Sequence, residues 1–586
     1  MHVRLLIALL LLIGFGCNDA PSGATGGATG GAVIGGLLGH HAGGPAIGAA
    51  IGSYEPPPTS REEYDHLPEA DFRAVADAPL STFSLDVDTA SYANARRMIS
   101  SGNLPPAGAV RIEEFVNYFP YDYVEPASGE TFAASLAVAD CPWNSANKLI
   151  RIGLRAKSID PGKRPPANLV FLVDVSGSMG SANKLPLVQQ ALLNMLPELG
   201  PDDTVSIVTY AGSSGVALAP TCGHETRTIK NAIKRLTSGG STNGAAGINT
   251  AYQLAAEYHK PHGINRVMLC TDGDFNVGVT DRDSLTRMLE DHAAKGTYLT
   301  ILGFGMGNYR DGTLEYLSNK GDGNYAYIDT KDEAEKVLGD QLMGTLVTVA
   351  KDAKIQVEFN PAEVAAYRLI GYENRALKDE EFNDDRKDAG DVGAGHTVTA
   401  LYEIVPVGGT SAGSDAEIAR LNASIEKLQN VLATVDMTPD ATAAVAEQIA
   451  ELQAKRAALR ENAGEPGVDP LVFQTDRDLT DRAKSGELLR VKLRYKEPDA
   501  AKEPGTSRLK TWSIADGDTP FEKADDDFGL AVSAAAFGML LRESEHVGDL
   551  DYDWVLQTAK RSGSGGKYCG DFVDLVRDAK SLGKSE

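Results

Sequence analysis

Three short stretches of the chain place hard oxygen donors where they could surround one cation. The segment Asp174-Val175-Ser176-Gly177-Ser178 offers a carboxylate and two hydroxyls at alternate positions of a tight turn. The segment Gly239-Gly240-Ser241-Thr242-Asn243-Gly244 adds the Thr242 hydroxyl, and Thr271-Asp272-Gly273-Asp274 adds the Asp272 carboxylate. Carboxylate and hydroxyl oxygens favour Mg²⁺, or Ca²⁺ or Mn²⁺, over zinc. Asp274 and Asn276 either extend the metal shell or, the preferred reading, stabilise the turn through side-chain hydrogen bonds. The chemistry is that of ion holding. Two carboxylates and three hydroxyls include no general base tuned near neutral pH, so no catalytic residue is assigned and an enzyme is not expected. His224-Glu225 has no second histidine at i+4, and neither GxxxxGK[ST] nor GxSxG occurs in the chain.

Each of the three loops needs a strand to aim it. Leu169 to Val173 is a continuous apolar run, as a strand buried on both faces requires. Val205–Val208, Val267–Cys270 and Tyr298–Phe304 read as further strands. Leu185–Leu199, Gly244–Tyr258 and Ser284–Ala294 read as helices between them. Alternation of this kind predicts an α/β fold over 167–347: a Rossmann-like parallel sheet with helices on both faces. Ligands of such sheets bind beyond the carboxyl ends of the strands, which is where the three loops fall.

The order DxSxS, then threonine in a glycine-rich loop, then Asp-Gly after a strand resembles the metal-ion-dependent adhesion site of von Willebrand factor type A domains. Asp174, Ser176, Ser178, Thr242 and Asp272 match all five positions. The resemblance implies that the serines and the threonine touch the metal directly and that the aspartates often act through water. It also implies that an open position accepts a carboxylate from a protein partner. The likeness extends further. Thr82 to Tyr92, Arg111 to Phe119, and Leu489 to Pro498 with the helical tail look like the flanking modules of a bacterial family of exported type A domain proteins. It covers roughly 78–585 apart from 411–465.

Outside the α/β block the hydrophobic period falls to two. Ile150, Ile152 and Leu154, then Ile355, Val357 and Phe359, then Val398, Ala400, Tyr402 and Ile404, then Leu489, Val491, Leu493 and Tyr495 all alternate with polar neighbours. Such runs read as half-buried antiparallel strands. They lie on both sides of the α/β block, which predicts a β-sandwich assembled from both flanks, the alternative being two small β-domains. The expected divisions are 78–166 for an N-terminal module with β-strands, 348–410 for sandwich strands and 466–586 for a C-terminal module of strands then helices. Residues 411–465 carry the heptad-spaced Ile418, Leu421, Ile425, Leu428, Leu432 and Val435, then Val445, Ile449, Leu452 and Leu459 beyond a Met437–Asp440 turn. This reads as an inserted helical hairpin, either a spacer or a docking arm.

At the start, residues 1–16 have the layout of a secretory signal, with His2 and Arg4 before the apolar run Leu5–Phe15. Gly16-Cys17 resembles a lipobox, with Gly14 and Phe15 in place of the usual leucine and small residue. That resemblance implies acylation of Cys17 and an envelope protein held to a membrane by lipid; the alternative is an ordinary signal in which Cys17 is incidental. Residues 17–77 then form an anchor segment and tether. Gly31, Gly35 and Gly39, and Gly48 and Gly52, stand four apart, either as a glycine-zipper-like hairpin or as a flexible linker. A net charge of -25 argues against nucleic acid as a partner. Of the five cysteines, Cys141 and Cys222 could pair in an oxidising compartment, and nothing in their spacing decides it. The function expected is metal-dependent protein binding at the cell envelope, with a structural scaffold whose metal only stabilises the fold as the alternative.

Overall fold

The computed structural model describes residues 64, 68–85, 88–211, 214–240, 244–273, 282–306, 311–408, 469–475, 478–498, 507–563 and 566–583. Cys17, the glycine-rich segment, the expected hairpin at 411–465, and Thr242, Asp274 and Asn276 lie outside these residues.

The main strands are β1 (Leu80–Ser84), β2 (Phe132–Asp140), β3 (Lys148–Ala156), β4 (Ala167–Asp174), β5 (Thr204–Tyr210), β6 (Ser214–Cys222), β7 (Ile264–Thr271), β8 (Tyr298–Phe304), β9 (Tyr325–Ile328), β10 (Thr348–Phe359), β11 (Val364–Ile370), β12 (Thr397–Pro406), β13 (Glu487–Lys496) and β14 (Arg508–Ala515). The α/β sheet has the order β9-β8-β7-β4-β5-β6. Strands β9 to β5 pair in parallel, and β6 closes the edge antiparallel to β5. That antiparallel edge departs from the all-parallel expectation. Strand β6 is largely exposed, so it carries no apolar run to announce it.

The apolar run in β4 supplies two cores at once because successive side chains point to opposite faces. Leu169, Phe171 and Val173 join one core with Leu185, Val188, Ala191 and Leu192 of helix α3 (Leu185–Met195). Val170 and Leu172 join another with Ile248, Ala251, Tyr252 and Ala255 of α5 (Gly244–Glu257). A Cβ at Gly247 would stand 2.7 Å from the Tyr210 Cβ, so α5 seats close against the strand ends only with glycine there. Helix α4 (Thr226–Lys234) lies on the α3 side through Ile229 and Ile233. Helices α6 (Arg282–Ala293) and α7 (Asp311–Lys320) lie on the α5 side.

The flanks build two antiparallel sheets. One runs Arg73–Ala74, β11, β12, β3, β2; the other runs Ala376–Leu377, β1, β10, β13, β14. Each takes strands from before and after the α/β domain, so the domain is inserted in a sandwich made by both flanks. Ile150, Ile152, Leu154, Val398, Tyr402, Ile355, Val357, Leu489 and Val491 meet in one core between the sheets.

The strands are not half-buried, as period two suggested. Strands β3 and β12 are buried on nearly every residue because a second apolar layer covers their outer face. That layer comprises α1 (Ala90–Ser100), α2 (Ile112–Val116) and the C-terminal helices α8 (Asp526–Leu541), α9 (Tyr552–Ser562) and α10 (Cys569–Gly583), packed on Ala139, Leu149, Ile370 and Leu401. Helix α8 is buried almost all round, and its N-cap Asp525 accepts the Phe528 N–H at 2.6 Å while pairing with Arg151 at 2.5 Å.

Where the α/β domain meets the sandwich, Asp322, Asp352, Asp388 and Asp391 surround two lysines. Lys351 Nζ lies 2.6 Å from Asp322 and 3.7 Å from Asp391, and Lys496 Nζ lies 2.6 Å from Asp352. Burial, with the neighbouring carboxylates, pushes Asp391 up to about 8 and Asp388 up to about 6 against the pull of Lys351. Carboxyls with raised folded pKa contribute stability that is full below the unfolded value of about 4 and is lost as pH rises through the folded one. Asp391→Asn should therefore raise the melting temperature over the parent at pH 8.5 and leave it nearly unchanged at pH 4. An equal shift at both pH values in a thermal-melt series would count against this reading.

Candidate functional site

Strand ends β4, β5 and β7 form one rim of the α/β sheet. Register places Val173 beside Cys270 and Asp174 beside Tyr210, so Asp174 and Asp272 emerge as near neighbours. The backbone then locks the turn. Val175 N–H donates to Tyr210 O at 3.0 Å and Ser176 N–H donates to Asp174 Oδ1 at 2.8 Å. Ser176 precedes the short 3₁₀ turn Gly177–Gly180. Its hydroxyl lies 2.9 Å from that of Ser178. Ser176 and the two aspartates are buried, whereas Ser178 is exposed. The result is a closed floor with an open lip.

The glycine-rich loop enters from the other side. Gly177 N–H donates to Gly240 O at 3.0 Å, and Gly239 N–H donates to Val175 O at 2.7 Å. Thr242 is outside the described residues, but the loop that leads to it is bonded to the DxSxS turn. The described structure thus brings Asp174, Ser176, Ser178 and Asp272 to one rim.

Electrostatically the floor is tense. Burial pushes the Asp174 carboxyl up to about 6; the Ser176 N–H and hydroxyl oppose this, Asp272 adds to it, and the Tyr210 hydroxyl again opposes. Asp174 Oδ2 is buried and makes no hydrogen bond of sound geometry. A buried carboxylate oxygen with lone pairs unused is costly unless a cation or donor satisfies it. With the paired Ser176 and Ser178 hydroxyls on the same turn, that oxygen fits a hard divalent ion. Among the described residues no group of three or more His, Cys, Asp or Glu could hold a metal, so a site here must draw on hydroxyls.

Sequence reasoning missed one residue at this rim. Lys184, just before α3, sends Nζ to Asp272 Oδ2 at 2.8 Å. Elsewhere, Cys141 and Cys222 are both free thiols. Cys141 is buried near Glu403, and Cys222 contacts Pro201 O and His224 Nδ1, so the pairing left open by the sequence is not made.

Strand order, helix placement and rim together define a von Willebrand factor type A domain. Residues 169–274 match the profile described as von Willebrand factor type A domain, and residues 58–151 match one described as von Willebrand factor. Residues 344–438 and 449–582 match the profile described as uncharacterized protein YfbK, C-terminal. The chain is 37% identical over 535 residues to the uncharacterized protein YfbK of Escherichia coli strain K12, spanning 90% of this chain and 82% of that one, and it belongs to that family. It is also 30% identical over 150 residues to human inter-alpha-trypsin inhibitor heavy chain H4, a stretch covering 24% of this chain and 16% of that protein. A solved structure described as von Willebrand factor type A from Catenulispora acidiphila aligns over 78% of this chain and 92% of its own, at 14% identity and a TM-score of 0.37.

Proposed function

We propose that this protein is a metal-dependent protein-binding module of the bacterial cell envelope, held to a membrane by a lipid on Cys17. Asp174, Ser176, Ser178, Thr242 and Asp272 would hold Mg²⁺, or Ca²⁺ or Mn²⁺. The bound ion supplies an open coordination position for an acidic side chain of a protein partner. The chain's own residues do the rest. Asp174 and Asp272 anchor from the buried floor, the serine hydroxyls orient the open face, and the exposed Ser178 lip leaves room for the partner. The observation that carries this reading is the buried Asp174 carboxyl, whose Oδ2 has no hydrogen bond of sound geometry, on the same turn as two paired serine hydroxyls.

The test uses the whole exported protein. Mg²⁺ titration by calorimetry should give one site in the parent and none in Asp174→Ala. Capture of envelope proteins should fall at least tenfold with EDTA and in the variant. If chelation lowers the melting temperature while capture persists, the metal serves the fold alone and the binding role is lost. Detergent partitioning should change in Cys17→Ser; unchanged partitioning would remove the lipid anchor from the proposal.

A further inference from the structure

The floor already holds one cation of its own. The Lys184 side chain runs past Gly305 to reach Asp272, and it is 11% exposed against 1% for its partner. Its path requires Gly305, just after β8. A Cβ there would stand 2.4 Å from Lys184 Cε and 2.6 Å from Cγ, and Gly305 has a φ of +81°. The Gly305 carbonyl is in turn fixed by the Tyr327 hydroxyl. A residue with an alkyl stem and a point charge is thus steered along a built channel to one carboxylate oxygen.

We propose that Lys184 is the resident counter-ion of this rim and sets its affinity for a divalent cation. The inference rests on the metal reading given above. Asp174 and Asp272 together carry two negative charges, and Lys184 returns one positive. It holds Asp272 Oδ2 in one position, compensates one of the two buried carboxylates of the metal-free protein, and repels an incoming divalent ion. Metal binding is therefore weaker and more readily reversed than the oxygens alone would give. Without the ammonium, the floor gains attraction for the ion and loses stability when empty.

Mg²⁺ titration of the full chain tests this, with Lys184→Gln as the main variant because it keeps a donor for Asp272 Oδ2 and drops the charge. The expected result is a Kd for Mg²⁺ at least about tenfold lower than the parent's. Removing one unit charge about 6 Å from a divalent ion is worth about tenfold even at the dielectric of bulk water, and more in a partly buried site. The metal-free melting temperature should fall and Mg²⁺ should recover it. Lys184→Met should behave alike, and Lys184→Arg should keep the parent's affinity. Equal Kd values in the parent and Lys184→Gln would overturn the role of Lys184 while leaving the metal site standing. Tightened binding in Lys184→Arg would overturn it equally. No Mg²⁺ binding by the parent or any variant would overturn the metal reading, and this inference with it.

Discussion

Glu403→Ala is expected to cost the protein about 3–5 kcal/mol, the range for leaving one partner of a buried ion pair uncompensated. Glu403 sits in β12 under the C-terminal layer, 2% exposed, and gathers donors from three directions. Arg368 Nη2 of β11 reaches Oε2 at 2.7 Å, and Trp143 Nε1 reaches the same oxygen at 3.0 Å. Asn147 Nδ2 reaches Oε1 at 2.6 Å, with the Cys141 thiol at 3.8 Å. One carboxylate thus ties the 141–147 connection between β2 and β3 to two strands that follow the inserted domain. Alanine would leave the Arg368 guanidinium buried without its anion and the Trp143, Asn147 and Cys141 donors without this acceptor. Glu403→Gln, which restores acceptance at one oxygen but not the charge, should fall between parent and alanine variant. Denaturant unfolding followed by tryptophan fluorescence gives the number, and a loss under about 1 kcal/mol for Glu403→Ala would refute the account. Burial, reinforced by the Glu403 charge, holds the Cys141 thiol above its ordinary range, so it stays protonated and unreactive.

The fold was legible where chemistry and pattern coincide. Leu169 to Val173 reads as a doubly buried strand, because a five-residue apolar run between Pro165-Pro166 and a Ser/Gly turn is too short for a helix. The period-two runs on both sides of the α/β block gave the inserted topology, since each sheet had to take partners from whichever strands were left. Burial was less legible. Alternation of Arg151, Gly153 and Arg155 with Ile150, Ile152 and Leu154 reads as a wet face. Yet Arg151 is buried against Asp525 and the ring of Tyr123. Ionic groups that meet distant partners look like surface until those partners are placed. Helix α1 hid for a similar reason: its buried residues include Ser91, Asn94 and Ala95, which carry little hydrophobic signal. Lys184 was invisible because a lysine ten positions beyond Asp174 has no meaning until Gly305, just past the end of another strand, opens its path.

The N-terminal module and the inserted domain are held together by a second buried charge group, and Arg96→Leu should release it. Arg96 of α1 donates to both Asp329 oxygens at 2.9 and 2.5 Å, to Glu333 at 2.8 Å and to the Tyr118 hydroxyl at 2.7 Å. Tyr118 donates in turn to Glu333 at 2.7 Å, while Lys336 Nζ donates to Tyr118 O at 2.8 Å. The two carboxyls respond differently. Burial wins at Asp329, whose pKa is raised despite Arg96, whereas at Glu333 the pull of Lys336 and Arg96 outweighs burial and lowers it. Lys336 is itself brought down to about 7 by burial, against the raising effect of Glu333. Leucine preserves the apolar stem of Arg96 but leaves Asp329 without its cation, at a cost again of about 3–5 kcal/mol near neutral pH. Loss of Arg96 raises the folded pKa of Asp329 further above its unfolded value. Its contribution is then kept at acid pH and lost as pH rises through the folded value. The variant's deficit should therefore be smaller at pH 5 than at pH 8, and Asp329→Asn added to Arg96→Leu should restore part of the loss at pH 8. A deficit independent of pH, with no rescue by asparagine, would mean that Arg96 acts through packing on Tyr92 and Tyr118 and not through charge.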